Sequence, residues 1–272
     1  MKKILISDFT TKEIPHGGSE WVNNVLIEKF NLSFEYSSNV TSLDKDNFYI
    51  ISNISLMNPK LVTEIPNYNY IIIENDYKIC QSRHPWRWPD SIIPKNERIN
   101  YSLYDNAKAV FVQTNDHLRV FKINEVKANF INLHSSIWSE TDLNLLEKLY
   151  ENNINKNGLT AIYDTNNWIK NKEGALKYCL DNNLSYQFIP NNESREMFLN
   201  QLAQCTNLVF LPIARETFCR LVVEAKCMGV NVITTKNYGA SLEGYFEMQD
   251  KELIYFLREQ TKHNLTKINE YI

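Results

Sequence analysis

The amino-acid sequence predicts an α/β protein of two Rossmann-like halves with parallel sheets, followed by a helical tail. Three observations carry this. Short β-rich apolar runs alternate with amphipathic stretches from end to end, the pattern of βαβ units. The alternation stops at a polar, unperiodic segment, 151–158, and restarts after it. With 272 residues, 43% of them apolar and 22% charged, the chain is long enough for two cores.

In the first half, strands are expected at 2–7, 48–52, 70–74, 109–113 and 129–132. Helices begin near Gly18, Glu97 and Asn115. The first three residues suggest a signal n-region, but Asp8 interrupts it and no apolar h-region follows, so the start reads as a buried strand. Ser139-Glu140-Thr141-Asp142 looks like a capping box opening a helix to about Tyr150. After the linker, strands are expected at 159–164, 185–189, 207–211 and 231–235. Helices are expected near 172–181, 194–205 and 217–228. The predicted domains are 1–153, 154–245 and a helical 246–272, the last able to cross back to the first domain. Two such halves would face each other across a cleft at the carboxyl ends of their sheets, where ligands bind.

Charge and cysteines narrow the classes. With 29 basic and 32 acidic residues the net charge is −3, which disfavours bulk nucleic-acid binding. Five scattered cysteines (Cys80, Cys179, Cys205, Cys219 and Cys227) form no C-x-x-C pair, so neither a disulfide framework nor a zinc site is expected. A reducing cytoplasm fits. No run approaches the length of a membrane span. Asp44-Lys45-Asp46 precedes a strand in a polar turn and reads as a solvated turn. No metal or other cofactor is expected. The chain has only 7 glycines, where average usage of about 7% predicts roughly 19, so each should mark a place that needs one.

The segment 208–235 holds the strongest chemical signal: a buried strand, a turn, a helix, a glycine cap and a second buried strand. Glu216 lies in the turn and Glu224 eight residues on, roughly 12 Å along if all is helical. Paired glycosidase carboxylates stand only ~5–9.5 Å apart, so the spacing suits a long ligand better than a hydrolytic pair. On spacing alone, two incidental acids on an exposed helix face explain it equally well.

This segment resembles the E-x7-E signature of retaining glycosyltransferases of family 4, in the GT-B fold. Their usual form is E-x-F-G-x-x-x-x-E-A-x-x-x-G-x-P-V-I. Glu216, Phe218, Glu224, Ala225, Gly229, Val232 and Ile233 match in order; Cys219 replaces a glycine and Asn231 a proline. The resemblance implies a hexose transfer from a nucleotide diphosphate sugar, UDP- or GDP-linked, to an unidentified acceptor, a glycan or small molecule being favoured. It implies that Glu216 contacts the donor sugar and Glu224 the ribose, with Thr217, Phe218 and Cys219 lining the donor site. The first domain would be the acceptor side and the second would hold the nucleotide sugar.

Other segments fall where that family has them. His16-Gly17-Gly18-Ser19-Glu20 follows the first strand as the family's N-terminal glycine loop does, placing Gly17 and Gly18 at donor phosphates or acceptor and His16 on the acceptor or sugar side. Segment 166–176 is similar to the phosphate-binding stretch ending in Lys-Gly. Lys170 or Lys172, depending on an insertion, would then stabilise the leaving diphosphate. The family's accompanying arginine is absent, with Thr165 or Asn167 in its place. Glu74, Asn75 and Asp76 end a buried strand where the family often has a histidine. Arg83 and His84 open Arg83-His84-Pro85-Trp86-Arg87-Trp88-Pro89, whose composition suits an acceptor loop and equally an anchored loop. The alternative readings are a GT-B module that binds a nucleotide sugar or glycan without turnover, and a GT-B relative such as a nucleotide-sugar epimerase.

Overall fold

Two parallel sheets organise the chain, each within its own unit. The computed structural model describes residues 1–10, 17–190 and 194–272. One unit comprises 1–137 with 260–272, the other 138–259.

The first unit runs β1 (Lys3–Ser7), α1 (Gly18–Phe30), β2 (Ser33–Tyr36), β3 (Phe48–Ile51), α2 (Pro59–Glu64), β4 (Asn69–Ile73), α3 (Tyr101–Asp105), β5 (Val110–Val112), α4 (Asn115–Ile123) and β6 (Phe130–Asn132). Its sheet has the order β2-β1-β3-β4-β5-β6, all parallel. The central strands are buried on both faces, which is why they read as continuous apolar runs. Alternation then sorts the side chains. Ile4, Ile6, Tyr49, Ile51, Tyr70 and Ile72 pack on one face, and Leu5, Phe48, Ile50, Ile71 and Ile73 on the other.

The second unit runs α5 (Glu140–Asn152), β7 (Thr160–Asp164), α6 (Lys172–Asp181), β8 (Tyr186–Pro190), α7 (Arg195–Gln204), β9 (Asn207–Phe210), α8 (Arg220–Cys227), β10 (Asn231–Thr234) and the start of α9 (Asp250–Asn269). Its sheet order is β10-β9-β7-β8, again all parallel. Ser139 caps α5 through its side chain, Asp142 N donating to Ser139 Oγ at 2.9 Å, while the Asp142 carboxylate accepts from Arg195 and Arg220. Leu143, Leu146 and Leu149 then bury one stripe of α5 in the core that holds Leu199 and Val222. That packing assigns α5 to the second unit, where the sequence suggested a boundary after it.

The last residues of α9 join the first unit. Gln260 Nε2 and Asn264 Nδ2 both donate to Leu133 O, at 2.8 and 2.9 Å, and Ile268 is buried in the core with Leu5. Three local expectations are corrected. The helix expected near Glu97 is a 3-10 turn at Lys95–Glu97 followed by α3 from Tyr101. β2 and α2 have no counterpart in the sequence reading, β2 because it is a half-buried edge strand with little apolar signal. Helix α8 starts at Arg220, three residues late, for a reason given below. Among the described residues no helix is long and apolar enough to cross a membrane.

Candidate functional site

The carboxyl ends of β7 and β9 and the segment after β10 converge in the second unit. After β7, a 3-10 turn, Trp168–Lys170, leads into Asn171, which takes a left-handed conformation (φ 57°). Asn171 caps α6, its Oδ1 accepting from Gly174 N at 3.1 Å, and its Nδ2 donates to Leu211 O at 2.8 Å. Gly174 is needed here: a Cβ would come within 2.3 Å of Asn171 Nδ2. Ile213 N donates to Ile169 O at 2.9 Å, fastening the β9 loop to the β7 loop.

The segment 216–218 is a bridge residue followed by a bend rather than the start of the helix. Glu216 N donates to Asn237 O and Gly239 N to Glu216 O, both at 2.9 Å, while Ala240 N donates to Phe218 O at 3.2 Å. Glu216 thus bridges to Tyr238 in parallel fashion. Cys219 then turns the chain with φ 77°, a conformation that costs a non-glycine residue ~1–2 kcal/mol, and the helix can begin only after it. A glycine, as in the signature that this segment resembles, would take this conformation without strain. Cys219→Gly should leave stability within about 1 kcal/mol, relief of strain offsetting a small lost side chain. Cys219→Val, branched at Cβ, should cost ~2 kcal/mol or more. Urea unfolding of both variants checks the order, and a valine variant as stable as the glycine one contradicts it.

This arrangement brings Lys170 and Glu216 together. Lys170 Nζ lies 2.8 Å from Glu216 Oε1, both side chains being partly exposed. The ammonium also stands 5.8 Å from the Phe210 ring centroid. Burial lowers the Lys170 pKa, but Glu216 and Cys219 outweigh it, and the net shift is upward. Lys170 is therefore held cationic. Lys172 points elsewhere, its Nζ 2.8 Å from Asp164 Oδ1.

Glu224 has a different environment from Glu216. It is 3% exposed, and its Oε1 accepts from Arg195 at 2.7 Å and from Arg220 at 3.3 Å. Asp142 closes the set, 3.1 Å from Arg195 and 3.4 Å from Arg220. Arg220 also stacks over Trp138, 3.8 Å from the ring centroid. One Glu224 oxygen is thus committed to internal partners, which qualifies the expected ribose contact. The side chains of Phe218 and Cys219 are buried in the core: Phe218 packs edge-on against Trp138, and burial pushes the Cys219 thiol well up. The sequence reading missed Arg195, Arg220, Asp142 and Asn171. Asn171 had a sequence signal, an Asn three residues before a glycine at a helix start, and Arg220 had one in its i,i+4 spacing to Glu224.

In the first unit Gly17 caps α1 and Gly18 opens it, while His16 lies outside the described residues. Glu74 is fully buried, and its Oε1 accepts from Lys78 Nζ at 2.6 Å and Asp76 N at 3.1 Å. The Tyr104 hydroxyl donates to Oε2. Glu74 is therefore an interior clamp rather than a surface acid. Asp76 is partly exposed, paired with Lys78 at 3.2 Å and Arg83 at 2.6 Å, and these cations hold its carboxyl well below the usual range against the opposing effect of burial. Asn75 bonds Ser52 Oγ (3.2 Å) and Gln113 Nε2 (3.4 Å). Arg83 is thus committed to Asp76, and His84 leans on Trp86 with ring centroids 5.7 Å apart. Asp44 and Asp46 form a local turn, Asp46 N donating to Asp44 Oδ1 at 2.9 Å.

Two buried groups here titrate in opposite senses. Burial pushes Glu74 up from 4.5 to about 7, and pushes His117 down from 6.5 to about 4, against the Asp76 carbonyl 2.8 Å from its Nε2. The folded chain binds the extra Glu74 proton between pH 4.5 and 7, so stability rises as pH falls through that window. The unfolded chain binds the extra His117 proton between pH 6.5 and 4, so stability falls there. The two slopes oppose each other between pH 4.5 and 6.5. Glu74→Gln should expose the His117 slope, giving a steeper loss of stability from pH 6.5 to 4.5 than the parent shows. Parallel profiles in urea unfolding would contradict this.

No family model matches the chain, and no curated protein matches its sequence. Solved structures do match in fold. Trehalose-6-phosphate synthase OtsA superposes with a TM-score of 0.60 at 7% identity, over 96% of this chain and 95% of that one. A structure from E. coli described as trehalose-6-phosphate bound with UDP-2-fluoro glucose gives 0.56 at 8%, over 96% and 91%. Anabaena Alr3699/HepE in complex with UDP and glucose gives 0.54 at 14%, over 96% and 89%. With two parallel α/β sheets and this coverage, the chain has the GT-B fold of glycosyltransferases.

Proposed function

We propose that the chain transfers a hexose from a nucleotide diphosphate sugar to an acceptor with retention of configuration. The observation that carries this is the partly exposed Lys170–Glu216 pair at the carboxyl ends of parallel strands, the usual ligand position in α/β sheets. In this reading Lys170 neutralises the leaving diphosphate and Glu216 orients the sugar through its hydroxyls, with no metal required. The second unit takes the nucleotide sugar and the first the acceptor, a glycan or small molecule, in a cytoplasmic setting. The 216–233 resemblance supports retention. The UDP and glucose held by HepE, and the UDP-2-fluoro glucose of the E. coli structure, support a UDP-linked donor.

A second reading, nucleotide-sugar binding without turnover, draws on the internal pairing of Glu224 and on Thr165 and Asn167 where an arginine would stand. Incubation with UDP- and GDP-sugars separates the two. Free nucleotide released with each transfer supports the transferase, and binding without release supports the module. An altered sugar on the same nucleotide would indicate an epimerase.

A further inference from the structure

Lys170 and Glu216 belong to different loops, yet Nζ and Oε1 lie 2.8 Å apart. Lysine and glutamate side chains have many rotamers, so the contact depends on how their backbones are held. A run of hydrogen bonds joins the two loops. Asn171 Nδ2 donates to Leu211 O at 2.8 Å, and Asn237 Nδ2 donates to the next carbonyl, Pro212 O, at 3.2 Å. Glu216 N in turn donates to Asn237 O at 2.9 Å. The path begins at the residue after Lys170 and ends on the backbone of Glu216, with two asparagine amides on consecutive carbonyls between them.

The orientation of the Asn171 amide is fixed by its partners. Gly174 N can only donate and Leu211 O can only accept, so the amide oxygen faces the first and the nitrogen the second. For a left-handed turn alone, glycine would be the unstrained choice. This chain has Asn171 there instead, with φ 57°. It also places one of its 7 glycines at 174, where a Cβ would meet Asn171 Nδ2 at 2.3 Å. Glycine weakens a helix relative to alanine, so α6 itself gains nothing from Gly174. Helix propensity is given up to make room for the Asn171 side chain, which therefore does more than turn the chain.

We propose that Asn171 and Asn237 are positioning residues, bracing the two loops through Leu211 O and Pro212 O so that the Lys170 ammonium is held against Glu216. The brace rests on the glycosyltransferase reading for its part in turnover, and on hydrogen bonding alone for its effect on Lys170. Both amide nitrogens are committed to carbonyls, so the two residues act through Lys170 and Glu216.

The test uses the full chain with Asn171→Gly, which keeps the turn and removes the amide, Asn237→Ala, and the double variant Asn171→Gly/Gly174→Ala. The first readout is the NMR titration of the Lys170 side chain, its signal identified by its loss in Lys170→Ala. Glu216 holds Lys170 above the ordinary lysine value against burial, and all three variants should bring it back toward that value. The double variant should unfold at or above the temperature of Asn171→Gly, alanine being the better helix former, without recovering the Lys170 shift. Recovery of stability and shift together would show that Asn171 acts only by supporting α6, and overturns the proposal, as does a Lys170 titration that none of the variants moves. The second readout is UDP affinity by calorimetry. Asn171→Gly should weaken it about fivefold or more in the parent and no further in Lys170→Ala, because the effect passes through Lys170. A loss that adds to that of Lys170→Ala overturns the positioning role. A moved Lys170 in a chain that binds neither UDP nor GDP removes the nucleotide-sugar reading and leaves the brace standing.

Discussion

Lys170→Ala is expected to lower turnover by about 10²–10³, the usual loss when one preorganised charge at a developing anion is removed. The expectation rests on position and charge together. Lys170 sits at the end of the turn after β7, its Nζ 2.8 Å from Glu216, and the neighbouring acid keeps it cationic despite burial. Glu216→Ala should lose a similar factor, since it removes the sugar's proposed acceptor and leaves Lys170 without its partner. Glu216→Gln should retain part of the rate, because an amide still accepts from a hydroxyl. Lys172→Ala should change the rate little, its ammonium being paired with Asp164 rather than with Glu216. Steady-state nucleotide release on the four variants, with unfolding curves to confirm that each is folded, measures this. Equal rates for Lys170→Ala and the parent would remove the assignment.

The second large effect concerns stability. Arg220→Met is expected to destabilise the chain by about 3–5 kcal/mol, because it breaks a buried ion network from one side. Arg220 bridges Glu224, four residues on in α8, and Asp142 in α5, while Arg195 in α7 meets the same two acids. Burial pushes the Arg220 pKa below the ordinary arginine value against the opposing effect of Glu224 and Asp142, and the guanidinium lies over the Trp138 face. Removing it leaves two buried carboxylates sharing one guanidinium. Urea unfolding reads the loss directly, and a change under 1 kcal/mol would show that the network contributes little. Since the network joins three helices around Glu224, its loss should also weaken nucleotide binding by more than the same substitution at the exposed Arg87.

The fold was legible because its signal is local. Runs such as 70–73 and 109–112 are apolar and buried at every residue, and polar residues separate them cleanly. The cap at Ser139 and the segment 207–235 could be placed for the same reason. The site was legible only in part. Glu216 and Lys170 belonged to recognisable local patterns, but choosing Lys170 over Lys172 as the partner of Glu216 needed the left-handed turn at Asn171. The start of α8 was misplaced because nothing local announces that 216–218 pairs with 237–240. Arg195 and Asp142 are 29 and 82 residues from Glu224, and no periodicity links such positions. Glu74 read as a site acid because a strand end is polar in either role, and only burial distinguishes a clamp from a ligand-facing group.

Titration of the full chain with UDP, followed by calorimetry in parallel with Lys170→Ala, tests the central claim most directly. Saturable binding by the parent, weakened at least tenfold in the variant, is the predicted result. A parent that binds neither UDP nor GDP, or a Lys170→Ala variant that binds UDP as tightly as the parent, would contradict the account.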